Sequence, residues 1–322
     1  MKFRIWGVGF YVDNIDDYIK CYIKNRFAGF ITEFEKNDYL IKKSSYNLKE
    51  YISKNYGFVF DADCKETEEY ESEDIYLVYI SQIALLVFEK CKKTIQYQIF
   101  DISNHKIYGF LSIKICEFVM NALYINDIFC LHCSVVTFNK DINNGIAFVG
   151  ESGSGKTSLS LKFIEMGEKI TNDDIAYFKL FPSCIKVIKN TQCVGVDDDN
   201  LKDNFNYLKG NIIKKDELEF DKNRIDLFEY NNDSYVDSID VKTIVFLSKE
   251  RGMNVELKEI ASSNAALKLI KSCMQFSTKK VIGKYIDALS NMANILKTYS
   301  LYSSNSLNET VIYVKNFFNS IF

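Results

Sequence analysis

Apolar and polar positions change rhythm along this chain, and the changes mark its elements. From residue 3 the string "FRIWGVGFYV" is dense in aromatic and β-branched residues, as a half-buried strand is, and "YLVYI" (76–80), "IQYQIF" (95–100) and "KIYGFLSI" (106–113) repeat that character. Residues 1–110 thus read as a mostly β N-terminal region, with a second domain over 111–322. Inside the first lies "DADCKETEEYESED" (61–74), whose eight acidic side chains and one Lys read as a solvated loop. "KICEFVMNALYIND" (114–127) spaces apolar residues three and four apart and predicts a helix. "FCLHCSVVTF" (129–138), the turn "NKDINNG" and "IAFVG" (146–150) predict two strands joined by a hairpin. "KTSLSLKFIEM" (156–166) has helical spacing and stops at Gly167, and "KITNDDIAYFKL" (169–180) returns to strand composition. Short strands such as "CIKVI" and "TIVFL" follow, with helices expected at 263–275 and 285–298. No internal repeat is visible.

Between strand and helix stands "GESGSGKT". Gly150, Gly155, Lys156 and Thr157 satisfy G-x-x-x-x-G-K-[ST] in the context that pattern requires. In such a loop the backbone N–H groups from Gly150 through Ser152, Gly153, Ser154 and Gly155 to Ser158 curl around phosphates at a helix N-terminus. Lys156 would neutralise phosphate oxygens, and the Thr157 hydroxyl would join the coordination of Mg²⁺. Many functions use this loop, so its surroundings must identify the reaction. Asp173-Asp174 is the nearest clue. If "KIT" is a strand parallel to the loop strand, reached by the crossover from Gly150 to Lys169, its carboxyl end lies beside the loop. One carboxylate can then hold Mg²⁺ while the other accepts a proton from an attacking hydroxyl. The bland alternative is a polar pair that ends a strand or caps a turn. His132 shares a strand face with Cys130, and Cys133 points the other way, so "CLHC" is a poor metal site. A packed histidine with one satisfied hydrogen bond is the competing reading of His132.

Composition narrows the partners. The chain has 322 residues, 47% hydrophobic and 26% charged, with a net charge of -3, which gives no basic footprint for nucleic acid. The run "YLVYISQIALLVF" (76–88) is shorter than the roughly 20 residues of a membrane span, and no signal-peptide pattern opens the chain. Nine scattered cysteines fit reduced thiols. A cytoplasmic protein is expected, with no membrane partner and with homo-oligomerisation left open.

Residues 129–180, "LHCSVVTF" followed by "GIAFVGESGSGKTSLSLKFIEMGEKITNDDIAYF", resemble the core of HPr kinase/phosphorylase and of HPr-kinase-related enzymes. "FRIWGVGFYV" and "VKTIVFLSKERGMNVELKEI" resemble the related kinases of peptide-modifying pathways, including those of lasso-peptide precursors. The resemblance implies an α/β phosphate-loop kinase core. It implies that Lys156 and Thr157 bind ATP and Mg²⁺, that Asp173 is the general base and Asp174 the metal-side carboxylate, and that His132 faces the phosphates. The family's later Gly-rich signature has only a loose echo in "TQCVGVDDDN", so HPr itself and a reverse phosphorylase reaction are not implied. Asp197-Asp198-Asp199 could reach a second metal or form a solvated loop.

The expected function is an ATP-dependent kinase acting on a Ser or Thr hydroxyl of a peptide or small protein. The alternatives are a kinase of a free hydroxylated metabolite such as serine, and a nucleotide-hydrolysing switch. A GTPase would carry N-K-x-D after the loop, whereas "NKD" (139–141) precedes it. A scaffold that only binds ATP would not need Lys156, Thr157, Asp173 and Asp174 together.

Overall fold

The computed structural model describes residues 1–33, 38–60, 67–104, 106–182, 184–189, 193–216, 222–272 and 279–321. The chain divides into two compact units, Met1–Asn126 with Gln275–Gly283, and Asp127–Met274 with Lys284–Phe322. Both mix helices with sheets.

The first unit contains β1 (Lys2–Ile5), β2 (Val8–Asp13), α1 (Asp17–Arg26), β3 (Tyr39–Lys43), α2 (Leu48–Tyr56), β4 (Thr67–Glu71), β5 (Ile75–Ile80), β6 (Ala84–Glu89), β7 (Thr94–Ile99) and α3 (Lys106–Ile125). Its strands form one seven-stranded sheet in the order β1-β2-β3-β7-β6-β5-β4. Among the described residues α1, α2 and α3 accompany that sheet, so "mostly β" understates the region. α1 escaped notice because only Ile19 and Ile23, four apart, are buried in an otherwise polar segment. "KIYGFLSI" is helix, not strand. Ile107, Leu111 and Ile115 recur every four residues on the buried side of α3, and that spacing outweighs the β-rich composition. α3 is the one helix among the described residues long and apolar enough to cross a membrane, and 67% of its most apolar stretch is buried inside the protein.

Residues 61–66 of the acidic stretch lie outside the described residues. Thr67–Glu71 is the edge strand β4, not a loop. Charged side chains are the usual protection of an exposed edge. Here Glu69 and Glu71 are held by Lys114 at 3.1 Å and Lys90 at 2.8 Å.

The second unit runs β8 (Ile128–Phe138), β9 (Asp141–Val149), α4 (Lys156–Glu165), β10 (Ile170–Asn172), β11 (Ile175–Leu180), β12 (Ile185–Ile188), β13 (Cys193–Val196), α5 (Asp198–Asp203), β14 (Ile212–Asp216), β15 (Lys222–Asp226), α6 (Leu227–Tyr230), β16 (Ser238–Gly252), β17 (Glu256–Glu259), α7 (Ser262–Lys271), α8 (Lys279–Ile295) from Lys284 onward, β18 (Lys297–Ser304) and α9 (Leu307–Asn319). Eight strands form the main sheet, and β13-β15-β14 form a small second one. β8, β11, β12, β16 and β9 pair in a closed ring. The hairpin β8–β9 is shorter at its turn than the sequence suggests. Only Asn139 and Lys140 turn, both with positive φ, and Asp141 already belongs to β9. α4 and α9 bury Leu159, Phe163, Val311 and Phe318 in one core with Phe148 of β9.

"KIT" is not a parallel neighbour of the loop strand. β10 runs antiparallel to β8, and the parallel partner of β9 is β16, which the chain supplies much later.

A buried carboxylate organises the first unit. Glu89, 1% exposed, receives Gln96 Nε2 on Oε1 at 2.7 Å, and on Oε2 it receives Tyr56 OH at 2.6 Å, Tyr51 OH at 2.9 Å and Lys92 Nζ at 2.8 Å. The two tyrosines belong to α2, so the carboxylate fastens that helix to β6. Burial raises the Glu89 carboxyl, but the hydrogen bonds from Lys92, Tyr56 and Tyr51 together outweigh it and hold the group below its ordinary value. A carboxyl whose pKa is depressed by folding contributes stability above its unfolded pKa and loses it as pH falls through the folded one. Glu89→Gln should therefore cost about 1–3 kcal/mol near neutral pH. Urea titrations from pH 7 downward should show the wild type losing its advantage below the ordinary glutamate range. Parallel curves for the two proteins would contradict this role for Glu89.

Candidate functional site

The loop opens where β9 leaves the sheet. A Cβ at Gly150 would lie 2.6 Å from Ser154 Oγ and 2.9 Å from Leu247 O of β16, so no other residue fits there without a shift. Gly155 closes the loop as the N-cap of α4, with φ +96°. Ser152 and Gly153 are exposed, and Thr157 and Ser158 stand in the first turn of α4. Ser154 N donates to Glu151 O at 3.2 Å, while Ser154 Oγ is buried with no hydrogen-bond partner in the protein. An orphaned hydroxyl at this point suits an incoming acceptor oxygen.

Lys156 is 6% exposed, and its Nζ donates to Gly150 O at 2.8 Å and Glu151 O at 2.9 Å. The loop's own carbonyls thus hold the ammonium at the loop mouth. Burial pushes it below the ordinary lysine value, Asp173 pulls the other way, and Lys222 adds to the depression.

Strand pairing explains how the aspartates reach the loop. Cys133 of β8 is opposite Val149 on one edge, and its N–H donates to Asp174 O at 3.1 Å on the other. His132 is likewise opposite Ile175. The end of β9 and the turn between β10 and β11 therefore flank the same two residues of β8. Beneath them lies a buried polar ladder that the sequence did not announce. Ser160 Oγ donates to Ser134 Oγ at 2.7 Å, Ser134 Oγ to Asn172 O at 3.3 Å, and Asn172 Nδ2 to Cys133 O at 3.2 Å.

Asp173 and Asp174 diverge, but not as neighbours in an extended strand. Asp174 has φ +74°, a left-handed conformation that turns the chain between β10 and β11. Asp173 is 6% exposed and both its oxygens face Thr157 Oγ1, at 3.0 and 2.9 Å. Burial, reinforced by Asp174, raises its carboxyl above the ordinary aspartate value, against Thr157, Lys222 and Lys156. The Asp174 side chain is 57% exposed, with Oδ1 3.1 Å from His132 Nε2. Cys133, buried under this group, has its thiol pushed up by burial, away from thiolate chemistry.

The donors present suit a nucleotide with Mg²⁺. Thr157 Oγ1 and the Asp173 carboxylate are hard oxygen ligands on one side of the loop, and such a partial set leaves room for phosphate oxygens and water, as Mg²⁺ prefers. Asp197 and Asp198 are not part of this group. Asp197 caps α5 through Asn200 N at 2.8 Å, and Asp198 accepts from Asn223 Nδ2 at 2.7 Å. His105, the second histidine, lies outside the described residues.

No protein-family model matches the sequence, and no curated protein does. Among solved structures, the chain is similar to the Hpr(Ser) kinase/phosphatase of Coxiella burnetii, with a TM-score of 0.34 and 13% identity, over 59% of this chain and 98% of that one.

Proposed function

We propose that this chain is an ATP-dependent kinase that transfers a phosphoryl group to a Ser or Thr hydroxyl of a peptide or small protein. The observation that carries this reading is the contrast between the adjacent carboxylates beside the loop: Asp173 buried against Thr157, Asp174 exposed against His132. A hydrolytic switch needs no second, outward carboxylate with an orienting partner, whereas transfer to a hydroxyl does.

The geometry favours roles opposite to those the family resemblance implies. Asp173 shares Thr157 with the phosphate loop and serves as the metal-side ligand. Asp174 stands open to an acceptor, with His132 Nε2–H orienting Oδ1, and serves as the base. Lys156 leaves the loop carbonyls to neutralise phosphate oxygens, and the N-terminus of α4 adds its partial positive charge. Thr157 and Asp173 would hold Mg²⁺, which would supply further neutralisation of phosphate charge. Asp174 takes the acceptor's proton as that oxygen bonds to the γ-phosphorus. The bond from the γ-phosphorus to the β,γ-bridging oxygen breaks, and ADP leaves. The exposure of Asp174 and of the neighbouring Ser152 and Gly153 leaves the site open to a side chain carried on a larger molecule.

The direct test is incubation with γ-labelled ATP, Mg²⁺ and a library of Ser/Thr peptides, with free serine as a competing arm. Phosphopeptide should form faster than inorganic phosphate is released without acceptor. Vigorous phosphate release with no phosphorylated peptide or serine would sink the kinase reading in favour of a switch.

Asp174→Asn should keep ATP affinity and lose phosphoryl transfer by about 10²-fold or more, the usual scale for a lost general base. Asp173→Asn should instead raise the Mg²⁺ concentration needed for half-maximal rate. Exchanged phenotypes would move the base to Asp173, and near-normal transfer in both would remove the pair from catalysis. Gly150→Ala should abolish nucleotide binding in calorimetry, since its Cβ would press on Ser154 Oγ and Leu247 O. Retained binding would show that β9 and β16 can separate.

A further inference from the structure

We propose that an open cavity of about 460 Å³ in the first unit is a binding site for a carboxylate group, with Lys49 as its charge partner. This goes beyond the kinase reading and does not rest on the Gly150–Gly155 loop, which belongs to the second unit.

The cavity opens where the chain passes from β3 into α2, beside the end of β7. Ser45, Tyr46, Asn47 and Lys49 line it from that connection and from the first turn of α2, and Gln98 and Phe100 line it from the end of β7 and just beyond. Its aromatic walls are held in place. Tyr46 OH donates to Gln96 Oε1 at 2.9 Å, and Gln96 is itself bonded to the buried Glu89 at 2.7 Å. Phe100 packs against the core cluster of Leu48, Ile52 and Tyr79.

The amide oxygens at the cavity are already used, and the amide donors are not. Gln98 Oε1 accepts from Leu48 N at 2.8 Å, and Asn47 Oδ1 accepts from Glu50 N at 3.3 Å. Both donors are backbone N–H groups, which require an oxygen opposite them and so fix which end of each carboxamide they meet. The two NH₂ groups and the Ser45 hydroxyl have no protein partner among the described residues.

Lys49 supplies the charge. Its Nζ donates to Tyr79 OH at 2.7 Å and lies 4.4 and 4.6 Å from the ring centroids of Tyr79 and Phe100. Ring faces attract a cation without neutralising it. Lys43, Lys90 and Lys92 of the same unit each meet a carboxylate, at 2.9, 2.8 and 2.8 Å, whereas Lys49 makes no ion pair among the described residues. No Asp or Glu lines the cavity. One ammonium, two amide NH₂ groups and a hydroxyl thus surround an opening that holds no anion. A carboxylate, with two oxygens that only accept, matches that set, and the rings of Tyr46 and Phe100 suit an aromatic group attached to it.

The experiment is a ligand-observed NMR titration of the full chain with phenylacetate and with the tripeptide Gly-Gly-Phe carrying a free C-terminal carboxylate, each beside its neutral amide. The carboxylates should bind at millimolar concentration, and the amides about tenfold more weakly, the scale of one charge-assisted hydrogen bond. Binding of phenylacetate alone supports the site with a free acid as its ligand, and binding of the peptide alone supports it with a chain terminus as its ligand. Lys49→Gln should lose about tenfold in carboxylate affinity. Asn47→Asp keeps an oxygen for the Glu50 N–H, so α2 stays capped, but replaces a free donor with a negative charge and should lose at least as much. That variant carries the test if Lys49→Gln folds poorly. Equal binding of acids and amides, unchanged carboxylate affinity in Asn47→Asp, or no binding of either carboxylate overturns the assignment.

Discussion

The site depends on one strand having two edges. β8 pairs with β9 on one side and with β10 and β11 on the other, so its residues His132 and Cys133 sit between the start of the Gly150–Gly155 loop and the Asp173-Asp174 turn. Backbone pairing sets this distance, not side-chain fit, because ladder hydrogen bonds hold neighbouring strands about 4.8 Å apart. The buried polar ladder of Ser160, Ser134 and Asn172 then ties α4 to the same strand pair. Loop, helix and carboxylates are thus held as one piece, and positioning of this kind is most of what the proposed phosphoryl transfer would ask of the protein.

Within that frame, environment divides two chemically identical neighbours. Asp173 goes into the protein, where burial disfavours its charge and a threonine hydroxyl meets it. Asp174 takes a left-handed turn and faces outward beside a histidine. The same pair in a regular strand would also have split between two faces, but only one of them could have stayed at the loop. The turn lets both remain.

Buried charge recurs as a fastening device away from the site. Glu89 collects donors from α2 and the sheet, and Glu168, 3% exposed, accepts from Thr137 Oγ1 at 2.8 Å and from the turn amides of Asn139 and Lys140 at 3.1 and 2.8 Å. In each case the carboxylate is tolerable because its lone pairs are met. Glu168 also explains why a two-residue turn with positive φ can be built from Asn-Lys without glycine.

Local chemistry made the glycine-rich loop between β9 and α4 legible in the amino-acid sequence. The pattern that joins Gly150, Gly155, Lys156 and Thr157 lies within eight consecutive positions, directly between the strand before it and the helix after. Adjacency likewise revealed the aspartate pair. Sequence alone did not show which strand runs beside the loop strand, because β16 arrives about ninety residues after it and "KIT" pairs elsewhere. It missed α1 and mistook the first half of α3, since a weak stripe of buried residues, not composition, decides both. It did not show that Asp173 is buried and Asp174 exposed, since burial is a property of the assembled sheet. Periodicity and short motifs report what a residue's chain neighbours require, whereas parallel pairing, burial and electrostatic range are set by residues far away in the chain, and only the tertiary structure brings those together.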